Sequence, residues 1–196
     1  MSQSQTQPFY RILCLHGCCQ TADMCKSVLK NFIEICNKDK TAKFEFYFME
    51  GKLDHPDGGK TWYNRPLVVK DIGNINYDEN LVKDTLEDVH SFVLEKNINV
   101  LIGFSQGGNV VDTYLHYHEH SNIKKAVILS SYSLNDPNRT NVDDVSVLNL
   151  ASECDEVVPH HLYPKNYTKS QLIMHDKGHK IPGNPIMRQV KDFIIA

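Results

Sequence analysis

No stretch of this sequence approaches the roughly 20 consecutive apolar residues that a membrane helix needs, so no membrane span is expected. The amino-terminal residues, MSQSQTQPFYR, lack the apolar centre of a secretory signal, and a cytoplasmic protein is the expectation. Excess positive charge is missing too. Against 24 Asp and Glu stand 21 Lys and Arg, a formal charge of -3, and the basic residues are scattered without forming a stripe. That removes the field on which nucleic-acid binding depends. Zinc-ligand spacing is also absent. The six cysteines stand at 14, 18, 19, 25, 36 and 154, and only Cys14, Cys18 and Cys19 come near C-x₂₋₄-C spacing, with no second pair downstream. With no sign of an oxidising compartment, the reading is reduced thiols and no metal.

What is present is enough apolar material, 41% of 196 residues, for one core of ordinary size. A single domain spanning residues 1–196 is expected, with residues 1–8 flexible. Short apolar runs alternate with amphipathic segments. RILCLHG precedes a helical repeat capped by Thr21, in which Met24, Val28, Leu29, Phe32, Ile33 and Cys36 recur at helical spacing. FEFYFME (44–50) reads as a strand, followed by a long polar stretch, Gly51 to Asp78, relieved only by PLVV (66–69). From Asp78, the residues Val82, Leu86, Val89 and Val93 mark one helix face. Then come NVLIGF, a second helical repeat with Val110, Val111, Tyr114 and Leu115, and strand-like runs at 125–131, 145–152 and 171–175. A last helix is expected with Asn184 as cap, Pro185 at its first position, and Ile186, Met187, Val190, Phe193 and Ile194 inward. This alternation implies an α/β protein with a mostly parallel central sheet of about six strands and helices on both faces. Ligands in such folds sit beyond the carboxyl ends of the strands, where this chain carries His16, Ser105, Tyr132, Asp155 and His179.

Within NVLIGFSQGGNVV, the run GFSQG matches G-x-S-x-G. The bare pattern arises by chance in roughly one chain in fifteen of this length, so context must carry it. Here it follows the most apolar strand and precedes a helix, as a turn that lifts a serine above the sheet requires. So tight a turn has no room for side chains two positions either side, which accounts for Gly103 and Gly107. A packing turn built from small residues is the plain alternative.

A serine hydroxyl needs a base in hydrogen-bond reach and an acid to orient that base. In the order Ser, acid, His, Asp155 follows one strand and His179 lies in a Gly-containing loop after the last. Asp136, after the preceding strand, competes for the acid, and Glu153 and Glu156 flank Asp155 as weaker candidates; His175, His160 and His161 are rivals for the base. The expected oxyanion donors are the backbone N–H groups of Gln106 and Cys18. Cys18 and Cys19 could instead be reactive thiols. DGGKT (57–61) is similar to the end of a phosphate-binding loop, but Asp54 stands where that loop needs glycine.

Taken together, RILCLHG, TWYN, GFSQGG, ILSSYSLNDP, DEVVP and HDKGHKIP resemble the FSH-family serine hydrolases, a branch of the α/β-hydrolase superfamily close to acyl-protein thioesterases. The resemblance runs over nearly the whole chain. It implies an α/β-hydrolase fold without a substantial lid, Ser105, Asp155 and His179 as catalytic triad, Cys18 and Gln106 as oxyanion donors, and no cofactor. The implied activity is an esterase or thioesterase acting on a small-molecule acyl ester or thioester. Lys177-Gly178 departs from the two glycines usual before the histidine, and the two cysteines after Gly17 replace bulkier residues. A shallow, open site is expected, walled by Trp62, Tyr63, Tyr132, Leu134, Val157, Val158 and Ile181, with ordinary packing as the alternative for each. A non-catalytic binding protein on the same scaffold is the competing function.

Overall fold

The computed structural model describes residues 7–64, 69–120 and 122–196. In chain order the elements are β1 (Phe9–Leu15), α1 (Ala22–Val28), α2 (Lys30–Asn37), β2 (Lys43–Met49), β3 (Leu53–Asp54), β4 (Lys60–Thr61), a 3-10 helix (Val69–Asn74), α3 (Glu79–Glu95), β5 (Val100–Phe104), α4 (Gln106–Tyr117), β6 (Lys125–Leu129), β7 (Val142–Ser152), a 3-10 turn (His160–Leu162), β8 (Tyr167–His175) and α5 (Asn184–Ile195). Six strands form one parallel sheet in the order β2-β1-β5-β6-β7-β8.

Strand alternation sorts the core into two layers, because successive side chains point to opposite faces. Leu13, Leu15, Leu101, Ala126, Ile128 and Val147 pack with the inner faces of α3 and α4. On the other side, Ile12, Cys14, Val100, Ile102, Val127 and Leu148 pack with α1, α2 and α5. α3 starts as expected, with the Asp78 side chain accepting from Asn80 N–H and Val82, Leu86, Val89 and Val93 buried.

Local expectations differ from the structure at several places. The repeat after Thr21 is two helices broken at Leu29, and the kink turns Met24 and Val28 outward while Cys25, Leu29, Phe32 and Cys36 are buried. In α5 the cap is Gly183, and Asn184 already lies inside the helix. The polar stretch after Gly51 contains a hairpin, in which DGGKT supplies the turn and β4, and Lys60 pairs with Asp54 at 2.7 Å. Of PLVV, residues 66–68 lie outside the described residues. Gln7 and Pro8, within the stretch expected to be loose, are hydrogen-bonded: Gln7 Nε2 donates to Lys40 O and Lys43 N–H to Pro8 O, each at 2.8 Å.

The chain runs from β1 outward to β2, then returns across β1 to β5 and proceeds the other way. The reversal leaves a crevice beyond the carboxyl ends of β1 and β5, the place where ligands bind in open parallel sheets. His16 to Cys18 leave β1 there, and Ser105 leaves β5, with Leu15 paired to Gly103 across the two strands. Among the described residues, no helix is long and apolar enough to cross a membrane.

Candidate active site

Ser105 sits at the turn from β5 into α4 with φ 52° and ψ -119°, a left-handed conformation that costs a non-glycine residue on the order of 1–3 kcal/mol. The surroundings enforce it. A Cβ on Gly103 would meet the Gly107 carbonyl oxygen at 2.4 Å, and one on Gly107 would meet the Leu15 and His16 carbonyls at the same distance. Main-chain bonds fix both ends of the turn: Ser105 N–H donates to Leu129 O at 2.9 Å, and Ser131 Oγ donates to Ser105 O at 2.7 Å.

The structure brings Ser105, His179 and Asp155 into series. Ser105 Oγ lies 3.0 Å from His179 Nε2, and His179 Nδ1 lies 2.8 Å from Asp155 Oδ2. The other carboxylate oxygen of Asp155 accepts from Val157 N–H at 2.9 Å and Val158 N–H at 2.8 Å. With both oxygens engaged, the carboxylate is oriented as well as buried. The imidazole rests against the Phe104 ring, centroids 5.0 Å apart. The rivals are occupied elsewhere. Asp136 accepts from Tyr117 and Asn138, His175 Nδ1 accepts from Lys177 N–H, and His160 and His161 lie in the short 3-10 turn.

One hydroxyl that sequence reasoning missed joins the loops carrying Asp155 and His179. Ser152, fully buried at the end of β7, accepts from Cys154 N–H at 3.2 Å and from Gly178 N–H at 3.1 Å. Gly178 has φ +63°, so the glycine immediately before His179 meets a backbone requirement.

Gln106, at the first position of α4, has its N–H at the helix terminus, where no intrahelical acceptor exists. Neither this N–H nor that of Cys18 has an acceptor among the described residues. The Gln106 side chain is a clamp: Oε1 accepts from Thr61 Oγ1 at 2.7 Å and Trp62 N–H at 3.1 Å, and Nε2 donates to Tyr63 O at 2.8 Å. Trp62 in turn donates Nε1–H to His16 O at 2.8 Å and stacks on the His16 ring, centroids 4.8 Å apart.

These contacts revise the expected wall. Trp62, Tyr63, Tyr132, Leu134 and Val158 are buried members of the core layer that contains α3 and α4. Tyr63 OH donates to Asn109 Oδ1 at 2.6 Å and lies 3.0 Å from Tyr132 OH, beneath the elbow. Their aromatic bulk supports the turn from within. Val157, only partly buried, contributes the backbone bond to Asp155 given above. Of the expected set, Ile181 alone lines the apolar cavity of about 320 Å³ beside His179, with Gln20, Cys25, Val28, Phe104 and Lys180. Ser105 itself is only 6% exposed.

The sequence profile described as "Serine hydrolase (FSH1)" matches residues 6–190. The chain belongs to this serine hydrolase family. "Hydrolase phiM" of Talaromyces stipitatus is 24% identical over 225 residues, spanning 97% of this chain and 87% of that protein. Among solved structures, Arabidopsis thaliana SOBER1 superposes with a TM-score of 0.74 at 15% identity, covering 95% of this chain and 98% of that one. A carboxylesterase from Mesorhizobium loti gives 0.72 at 17% identity, covering 95% and 88%. At these identities the structural likeness speaks for the fold, which is that of the α/β-hydrolases.

Two outcomes follow from the geometry. Ser152→Ala strands two donors and should lower stability by about 1–3 kcal/mol in urea denaturation, while broadening the downfield proton resonance of the His179–Asp155 bond. The second concerns pH. His16 donates Nδ1–H to Gly17 O at 2.7 Å and accepts Gly51 N–H on Nε2 at 3.0 Å, so it is held neutral, and burial lowers its pKa against the opposing pull of the Gly17 carbonyl and Glu50. Burial also lowers His116, His118 and His175. The unfolded chain takes up protons near pH 6.5 that the folded chain resists, so stability should be complete above about pH 6.5 and fall as the pH drops through the lowered values. Melting curves between about pH 7.5 and about pH 5 check this, together with a His16 NMR titration that should run below its ordinary value.

Proposed function

We propose that this family member hydrolyses carboxylic esters or thioesters, with Ser105 as nucleophile, His179 as general base and acid, and Asp155 fixing the imidazole. The observation that carries this reading is the unbroken series of hydrogen-bond distances, 3.0 Å from Ser105 Oγ to His179 Nε2 and 2.8 Å from His179 Nδ1 to Asp155 Oδ2. Because Nδ1–H faces the carboxylate, the lone pair of Nε2 faces the serine, which is the tautomer a base needs.

As Ser105 Oγ attacks the acyl carbon, its proton passes to His179 Nε2, and the resulting imidazolium is stabilised by the Asp155 carboxylate. The carbonyl oxygen becomes an oxyanion and accepts from Gln106 N–H and Cys18 N–H. A donor of this kind is typically worth about 100- to 1,000-fold in rate. Collapse returns the proton to the departing alcohol or thiol and leaves the acyl group on Ser105. Water then attacks the acyl-enzyme with His179 again taking the proton, and the free acid departs. The acyl chain occupies the apolar cavity beside His179, whose volume is at the small end for ligand pockets.

A fluorophosphonate probe should label the wild type at one serine and leave Ser105→Ala unlabelled, with hydrolysis of acyl esters and thioesters falling by at least about 1,000-fold. Labelling that persists in Ser105→Ala would refute the assignment, and a binding protein without turnover would show no hydrolysis in either form. Val28, exposed at the cavity mouth, tests the acyl assignment. Val28→Trp should lower kcat/KM for longer acyl chains by about tenfold or more relative to acetyl esters, as a lost methylene site predicts.

A further inference from the structure

A second cluster of reactive side chains lies beside the loop that follows β1. Cys18 Sγ and Cys19 Sγ are 3.5 Å apart, Cys19 Sγ is 3.1 Å from His55 Nδ1, and the three atoms all lie within 4.8 Å of one another. Zinc bond lengths of about 2.3 Å to thiolate and about 2.0 Å to imidazole imply tetrahedral edges of about 3.8 Å between sulfurs and about 3.5 Å from sulfur to nitrogen. Two of the three observed separations therefore fall within a few tenths of an ångström of a zinc site. Those shifts, and the closing of the Cys18–His55 pair from within 4.8 Å, call for side-chain rotation and not for backbone movement.

Main-chain contacts hold the two halves together. Cys19 N–H donates to Lys60 O and Lys60 N–H to Gln20 O, both at 2.9 Å, docking the β3–β4 hairpin on the cysteine loop. Gly59 passes so close that a Cβ there would meet the Cys19 carbonyl oxygen at 2.4 Å. His55 stands on this hairpin with its side chain only 8% exposed, and its Nδ1 accepts from Asp57 N–H at 3.2 Å. The lone pair is thus on the nitrogen that faces the sulfurs, and a metal bound there takes it over from the Asp57 N–H. A cavity of about 190 Å³, lined by Cys18, His55 and Asp54 among others, provides access. The positive charge of Lys60, whose backbone docks on the cysteine loop, is paired with Asp54 at 2.7 Å.

We propose that Cys18, Cys19 and His55 form a binding site for one zinc(II) ion, with water as fourth ligand. Two thiolates and an imidazole select zinc over the hard cations magnesium and calcium. Binding releases both thiol protons to solvent as the two Zn–S bonds form. Spacing along the chain concealed the site, since the third ligand comes from a hairpin 36 residues beyond Cys19. The position also has a consequence for the hydrolase, and this part rests on the function proposed above. The Cys18 thiol lies 3.8 Å from Thr61 Oγ1, whose hydroxyl donates to Gln106 Oε1, and Cys18 N–H is one of the two assigned oxyanion donors. Zinc bound there draws the Cys18 side chain toward His55 and shifts that donor, so ester hydrolysis falls when the site fills.

The test uses the full chain under reducing conditions in a Cys154→Ser background, which removes the exposed thiol. Zinc(II) is titrated against a chromophoric chelator, and cobalt(II) is added separately to read thiolate-to-metal charge transfer in the near ultraviolet. One zinc per chain and a charge-transfer band are expected, and Cys19→Ser and His55→Gln should each weaken zinc binding by at least about tenfold. Both variants should keep metal-free hydrolysis and lose sensitivity to zinc. Repeating the titrations on Ser105→Ala separates the two readings, because binding there does not depend on turnover. Absence of the cobalt band, or zinc affinity unchanged in both variants, overturns the proposal even if hydrolysis is confirmed.

Discussion

At the crossing of β5 and α4 the backbone runs so close to its neighbours that a methyl group on Gly103 or Gly107 would meet main-chain oxygen at 2.4 Å. No side-chain rotation relieves such a contact, so the absence of two Cβ atoms sets how tightly β1, β5 and α4 can assemble. Ser105 is forced into its left-handed conformation by that assembly, and its hydroxyl is directed to the rim where β1 and β5 end. The strain at the serine and the close packing of the sheet are thus one feature seen from two sides.

Around this turn the chain adds a clamp built from remote segments. The Gln106 side chain accepts hydrogen bonds from Thr61 and Trp62 and donates one to Tyr63 O, and Trp62 carries the connection on to His16 through one hydrogen bond and one stacked ring. His16, Trp62 and Gln106 are all buried, so these polar groups strengthen one another in a region of low dielectric. The loop after β1, the segment after β4 and the start of α4 therefore behave as one body. Cys18 and the hairpin bearing His55 are attached to its edge.

Much of the fold was legible because burial is periodic. Val82, Leu86, Val89 and Val93 in α3, and the near-continuous apolar runs of β5 and β6, announce element and face directly. The serine elbow was legible because its glycines are required by contact, and Asp155 and His179 because few polar residues follow strands at the right places. The break at Leu29 was not, since Met24 and Val28 fit a continuous helix as well as the observed pair. Trp62 and Tyr63 looked like site wall because their partners, His16, Asn109 and Tyr132, are distant in sequence, and an aromatic in a polar loop carries no sign of the core it joins. Ser152 and His55 were invisible for the same reason: each acts through atoms from another segment, and neither belongs to a local pattern.

The arrangement at Ser152 bears on how the site moves. One buried oxygen accepts from Cys154 and from Gly178, one residue before Asp155 and one before His179, so the two loops share an anchor. Their displacements are consequently correlated, and thermal agitation carries carboxylate and imidazole together while hardly altering the gap between them. Ser105 belongs to a separate rigid unit, fixed by the sheet and α4. The hydroxyl–imidazole bond is the one that spans the two units, so of the contacts in the trio it is the one whose length depends on how the loops sit against the sheet.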